Sequence, residues 1–111
     1  EAEQALSEAY KLDLAAPALL VQLGEALLRA GQWHNAESAL LRSLLAQETP
    51  GARKLLGDAL SEQHRFEEAA AAYRAVLALP DVDESLSAAA RSQAKLILSA
   101  HLNRPSEAEA L

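Results

Sequence analysis

Apolar positions recur along this chain at helical spacing. Between 17 and 30, Leu20, Leu23, Leu27 and Ala30 lie on one helical stripe, and Pro17 suits a first turn, where its missing N–H has no partner to lose. The stripe ends at Gly31, where a chain leaving a helix favours φ > 0. A second stripe, Ala36, Leu40 and Leu44, then runs until it stops before Pro50. The same pattern follows again. Leu23-Gly24-Glu25-Ala26-Leu27 aligns with Leu56-Gly57-Asp58-Ala59-Leu60 at an offset of 33, which also carries Pro17 onto Pro50, Trp33 onto Phe66, Ala36 onto Ala69, Leu40 onto Tyr73 and Leu44 onto Leu77. With four Gly, four Pro and 4% aromatics in the chain, agreement at those types is not a by-product of composition.

The pattern extends outward in weaker form. Glu1 to Leu6 matches Asn35 to Leu40, 34 residues later, and Asn103 to Ala108 reads like His64 to Ala69, 39 residues later. The extra residues are placed around Pro80-Asp81-Val82-Asp83-Glu84, an acidic, turn-rich stretch. His64 and Asn103 stand where Gly31 stands in the first unit, and both types are enriched in the left-handed region, so all three turns meet one backbone requirement. Helices are predicted near 1–13, 17–30, 33–47, 50–63, 66–79 and 83–101, and from 105 onward. One domain over 1–111 is expected: a partial repeat at 1–16 (a second helix only), repeats at 17–49 and 50–80, and a degenerate, incomplete one at 81–111.

Composition makes the helical reading nearly obligatory. The chain holds 26 Ala and 22 Leu against 3 Val, 1 Ile and 1 Thr. Ala and Leu lead the helix scale, whereas sheets favour β-branched and aromatic residues. Few Gly also excludes doubly wound sheets with Gly-rich phosphate loops. Sixteen Asp and Glu against ten Lys and Arg give a charge of −6, and the basic residues do not cluster, which argues against nucleic acid. No run of eighteen apolar residues exists, so no membrane insertion is expected. The absence of Cys removes disulfides and thiolate chemistry without identifying a compartment.

These residues resemble the tetratricopeptide repeat (TPR), whose pattern is Trp-x2-Leu-Gly-x2-Tyr, then Ala-x3-Phe, then Pro, with a period of about 34. The first unit supplies Leu20, Leu23, Gly24, Leu27, Trp33, Ala36 and Leu40, and the second Leu56, Gly57, Leu60, Phe66, Ala69 and Tyr73. Arg53 at the opening aromatic position, Val76 where Ala is usual and a displaced terminal proline depart from it. The resemblance is strong over 17–80, fair over 1–16 and weak over 81–111. It implies an all-α fold: an α-solenoid of antiparallel helix pairs, a TPR-like right-handed superhelix of about three repeats. Gly24 and Gly57 would permit a close crossing within each pair, aided by Ala36 and Ala69. Trp33 and Phe66 would fill the space after the turn as core, with Tyr10 and Tyr73.

Chemistry is sparse. His34, His64 and His101 lack partners at ligand spacing on one helical face, no serine sits in a nucleophile context, and Glu67-Glu68 lies on a helix surface. No catalytic role, metal or cofactor is expected. Pentatricopeptide repeats, which bind single-stranded RNA, need a basic groove, and this one is acidic.

The resemblance implies binding through the concave face lined by first helices. That face presents Val21, Gln22, Glu25, Leu28 and Arg29, then Lys54, Leu55, Asp58, Ser61 and Glu62. Val21, Glu25 and Asp58 occupy places where a carboxylate clamp for chaperone C-termini would want a cation or amide, so that reading is rejected. An apolar strip of Val21, Leu28 and Leu55 beside Glu25, Asp58 and Glu62 favours a protein or peptide segment that is apolar with basic flanks. The alternatives are a self-associating module forming a homo-oligomer through exposed solenoid ends, or an accessory segment of a larger enzyme, secretion component or regulator. Helix 1–13 is expected to lack its own partner, leaving Leu6, Ala9 and Tyr10 half covered, and the chain closes inside an unfinished repeat, as a piece of a longer array would.

Overall fold

The computed structural model describes residues 17–111, and among these every regular element is helical. The elements are α1 (Pro17–Arg29), α2 (Trp33–Ala46), α3 (Pro50–Glu62), α4 (Phe66–Ala78), α5 (Glu84–Leu96), a π-helical turn (Ile97–His101) that prolongs α5, and α6 (Pro105–Glu109). The helix expected over 1–13, with Leu6, Ala9 and Tyr10, lies outside the described residues.

The turns impose the helix ends. After α1, the Gln32 N–H donates to the Leu27 carbonyl (2.9 Å) and the Gly31 N–H to Leu28 (3.1 Å), while Gly31 has φ of 79°. This is a Schellman closure, which needs one left-handed residue. After α3 the same bonds run from Arg65 to Leu60 and from His64 to Ser61, both 3.0 Å, with His64 at φ 60°. Asn103, at φ 53°, takes that place after the π turn. A side-chain bridge restarts the next helix each time: Gln32 with Asn35 (2.8 Å), Arg65 with Glu68 (2.7 Å) and Arg104 with Glu107 (3.6 Å).

Helices pack in neighbouring pairs. Gly24 lies against Leu40, and Gly57 against Tyr73; a Cβ on either glycine would stand 2.7 Å from the facing side chain. The crossing residues are therefore Leu40 and Tyr73, one turn beyond Ala36 and Ala69, which are themselves fully buried. Leu20, Leu23 and Leu27 of α1, Leu56 and Leu60 of α3, and Val76 of α4 complete the core of the first four helices. Buried Ser43 donates to the Pro17 carbonyl (2.9 Å), tying α2 to the start of α1. Beyond the pairs, α1 touches α3 and α3 touches α5, whereas the backbones of α2 and α4 stay apart.

The extra residues of the third unit fall in two places. Ala52, Leu56 and Leu60 of α3 correspond to buried Ala90, Ala94 and Leu98 at an offset of 38, but Ala69 corresponds to buried Ala108 at 39. Most of the insertion is the loop at 79–83, where Asp81 takes φ of 55°. The last residue is absorbed by the π turn, which widens the helix by one position and buries Ile97 and Leu98. The expected single insertion around Pro80 is corrected accordingly.

Candidate functional site

α1, α3 and α5 are successive neighbours, so their outward residues form one continuous face. Two open clefts lie along it. One, about 490 Å³, is bounded by Glu25 of α1, Gly51, Lys54 and Leu55 of α3, Ser85, Leu86 and Ala89 of α5, and Asp83 just before α5. Gly51 leaves its floor open, since nothing lies within 4 Å of where its Cβ would be. The other, about 440 Å³, sits nearer the turns and is bounded by Leu28, Arg29, Gly31, Trp33, Asp58 and Glu62.

Most of the residues expected on the groove therefore line these clefts: Glu25, Lys54 and Leu55 the first, and Leu28, Arg29, Asp58 and Glu62 the second. Val21 and Leu55 are half-buried and also pack against the core, whereas Gln22 is exposed and Ser61 half-buried, neither lining a cleft. Trp33, expected as core, is half-buried and borders the second cleft.

The charges on the face are unequally engaged. Lys54 Nζ donates to Asp58 Oδ2 (2.9 Å), and the Tyr73 hydroxyl donates to Asp58 Oδ1 (2.5 Å). Asp58 is thus a support for the buried α4 tyrosine as much as a surface acid. Burial, then the bond to Asp58 and the nearby carboxylates of Asp58 and Glu62, push the Tyr73 hydroxyl far above its usual range. Glu25 approaches Arg29 at 3.4 Å, with the Arg29 side chain largely in solvent and that of Glu25 half-exposed. Glu62 enters no ion pair among the described residues, and Asp83 meets only the Ser85 hydroxyl (2.9 Å). Among the charges lining the two clefts, Glu62 and Asp83 are therefore the ones without an ion-pair partner.

The opposite side of α3 is different. Arg65 bridges Glu37 and Glu68 (2.7 Å each), and Gln63 donates to Glu37 (3.1 Å), which fastens α2 to the turn before α4. Arg53 grips Glu48 through two bonds of 2.8 Å, and those bonds hold the Glu48 carboxyl below its usual range. Exposed Leu41 and Leu45 stand beside this pair.

None of the α5 contributors, Ser85, Leu86 and Ala89, was assigned from sequence, nor was Asp83. The small stripe Ala90, Ala94, Leu98 carried the signal, at an offset hidden by the loop and the π turn. His101 stacks on Phe66, with ring centroids 4.0 Å apart and planes 6° from parallel, and His64 meets the same ring edge-on at 5.6 Å. Among the described residues no group of His, Asp and Glu is placed to hold a metal ion, and no helix is long and apolar enough to cross a membrane. No family model matches the chain, and no curated protein matches it.

Proposed function

We propose that the chain is a TPR-like helical-repeat scaffold that binds an extended or helical segment of a partner protein along α1, α3 and α5. The observation that carries this reading is the unequal spacing of the helices: the backbones of α1 and α3, and of α3 and α5, approach across pairs, while those of α2 and α4 stay apart. A stack built that way curves toward its first helices, and curvature makes a concave binding surface. The recurrence of one turn closure and one glycine crossing supports the repeat assignment. The mixed lining, apolar at Leu28, Leu55 and Leu86 with unpaired carboxylates at Glu62 and Asp83, suits an apolar segment with basic flanks. Selection from a displayed random peptide library tests it. Enriched peptides should pair apolar residues with Lys or Arg, and Glu25→Lys with Glu62→Lys should abolish their binding while helicity persists. Enrichment of acidic peptides, or binding indifferent to that double variant, contradicts it. Asp58 is unsuited to this test, because it also holds Tyr73.

Self-association is a second reading, favoured by one observation. Leu45 is 88% exposed and Leu41 44%, one turn apart on α2. An i, i+4 leucine pair in solvent is a ready helix-to-helix contact. Sedimentation of the wild type and of Leu45→Glu decides it: a dimer lost in the variant supports this reading, and a monomer in both removes it.

A further inference from the structure

We propose that the cleft over Trp33 is a subsite for a basic side chain of the partner, above all an arginine guanidinium, which stacks on the indole and is held by Glu62. This deepens the reading of the α1–α3–α5 face and rests on it. Two equivalent places in the molecule differ. Trp33 opens α2 as Phe66 opens α4, at the offset of 33. Over Phe66 the space is filled: the flat His101 ring lies 4.0 Å away and 6° from parallel. His101 follows Glu62 by 39 residues, the same step that separates His64 from Asn103 and Ala69 from Ala108. At that step Glu62, the last residue of α3, takes the place of His101 in the sequence, and its side chain borders the same cleft as Trp33.

A carboxylate does not lie on an indole face, since both are electronegative. Among the described residues no ring contact to Trp33 occurs, and an open cleft of about 440 Å³ stands there instead. A cation satisfies both groups at once, with the ring face beneath it and the carboxylate beside it. Of the other charges of the cleft, Asp58 is held by Lys54 and Tyr73, and Arg29 leans toward Glu25 at 3.4 Å. Leu28 offers an apolar wall for a methylene stem. A guanidinium is favoured over an ammonium because it is planar, as the His101 ring is, and stacks while still donating to a carboxylate.

Trp33 is the single tryptophan, so its indole signal reports this cleft alone. The amides of N-acetyl-arginine, N-acetyl-lysine and N-acetyl-citrulline are titrated into the full chain while the indole Nε1–H resonance is followed. The arginine probe should move it saturably at millimolar concentration, the lysine probe should bind about threefold more weakly, and uncharged citrulline should leave it in place. Glu62→Gln should weaken the arginine probe about threefold with the melting temperature unchanged. Equal shifts from arginine and citrulline, no shift up to about 100 mM, or full arginine affinity in Glu62→Gln overturns the proposal. A selected peptide that perturbs Glu25 and Leu55 but not the indole overturns the subsite and spares the face. Saturable arginine binding without any selectable peptide does the reverse.

Discussion

Adding one methyl group at Gly57 should unfold the chain more readily, although the same change at Gly51 should stabilise it. A Cβ on Gly57 would stand 2.7 Å from Tyr73 Cε1 and 2.8 Å from Cζ. That ring is 1% exposed, and its hydroxyl is tied to Asp58, so it cannot swing aside as a flexible chain end would. Overpacking of this kind costs about 1–3 kcal/mol, and moving the ring endangers a hydrogen bond to a carboxylate worth about 1.5–3 kcal/mol. Against these stands a helix-propensity gain of about 1 kcal/mol for Ala over Gly. The net loss for Gly57→Ala is about 1.5–5 kcal/mol. At Gly51, also helical, the Cβ would meet nothing within 4 Å, so only the propensity gain of about 0.5–1 kcal/mol remains. Thermal and urea denaturation followed by circular dichroism at 222 nm would separate the two variants by more than about 10 °C. If they melt within about 3 °C of each other, the tight α3–α4 crossing is not a feature of the folded chain.

Three further outcomes follow from single side chains. Because the folded state raises the Tyr73 hydroxyl above its usual range, the unfolded chain releases that proton first, so stability is complete below about pH 10 and falls above it by about 1.4 kcal/mol per pH unit. Urea titrations between pH 9 and about 11 should give a shallower slope for Tyr73→Phe, and equal slopes would show that the hydroxyl is not the group responsible. Ser43→Ala removes the donor to the Pro17 carbonyl and should cost about 1 kcal/mol by urea denaturation; no loss would mean that α2 is not anchored there. Asp81→Gly relieves a left-handed backbone at φ 55° on an exposed residue and should raise stability by about 1 kcal/mol, whereas a loss would place Asp81 in an interaction of its own.

Local rules carried most of the fold into the sequence. Pro17, Pro50 and Pro105 mark helix starts, and Gly31, His64 and Asn103 mark left-handed turns, because each constraint acts within a few residues and leaves a residue type as its trace. Partners across the packing were less legible. Glycine announces a close approach but not what approaches, so Leu40 and Tyr73 emerge only when the helix faces are set in three dimensions. The π turn left no residue signature, since a one-residue widening of a helix in an Ala- and Leu-rich stretch changes register and not composition. An Asp in an acidic turn reads as a solvated charge, so the left-handed backbone at Asp81 has no distinctive trace in the sequence. On the candidate face, sequence named the α1 and α3 residues but could not tell that Asp58 is committed to Tyr73 of α4 while Glu62 is left without an ion pair. Commitment of a charge depends on side-chain reach between helices, which spacing along one helix does not encode.

The most direct test of the binding face is amide chemical-shift mapping of the labelled chain with a library-selected peptide. Perturbations should concentrate on α1, α3 and α5, at Glu25, Leu28, Lys54, Leu55 and Leu86, and leave Leu41, Leu45 and Glu68 in place. Shifts centred instead on Leu41, Leu45 and Arg53 would put the partner on the opposite side of the helix pairs and contradict the groove.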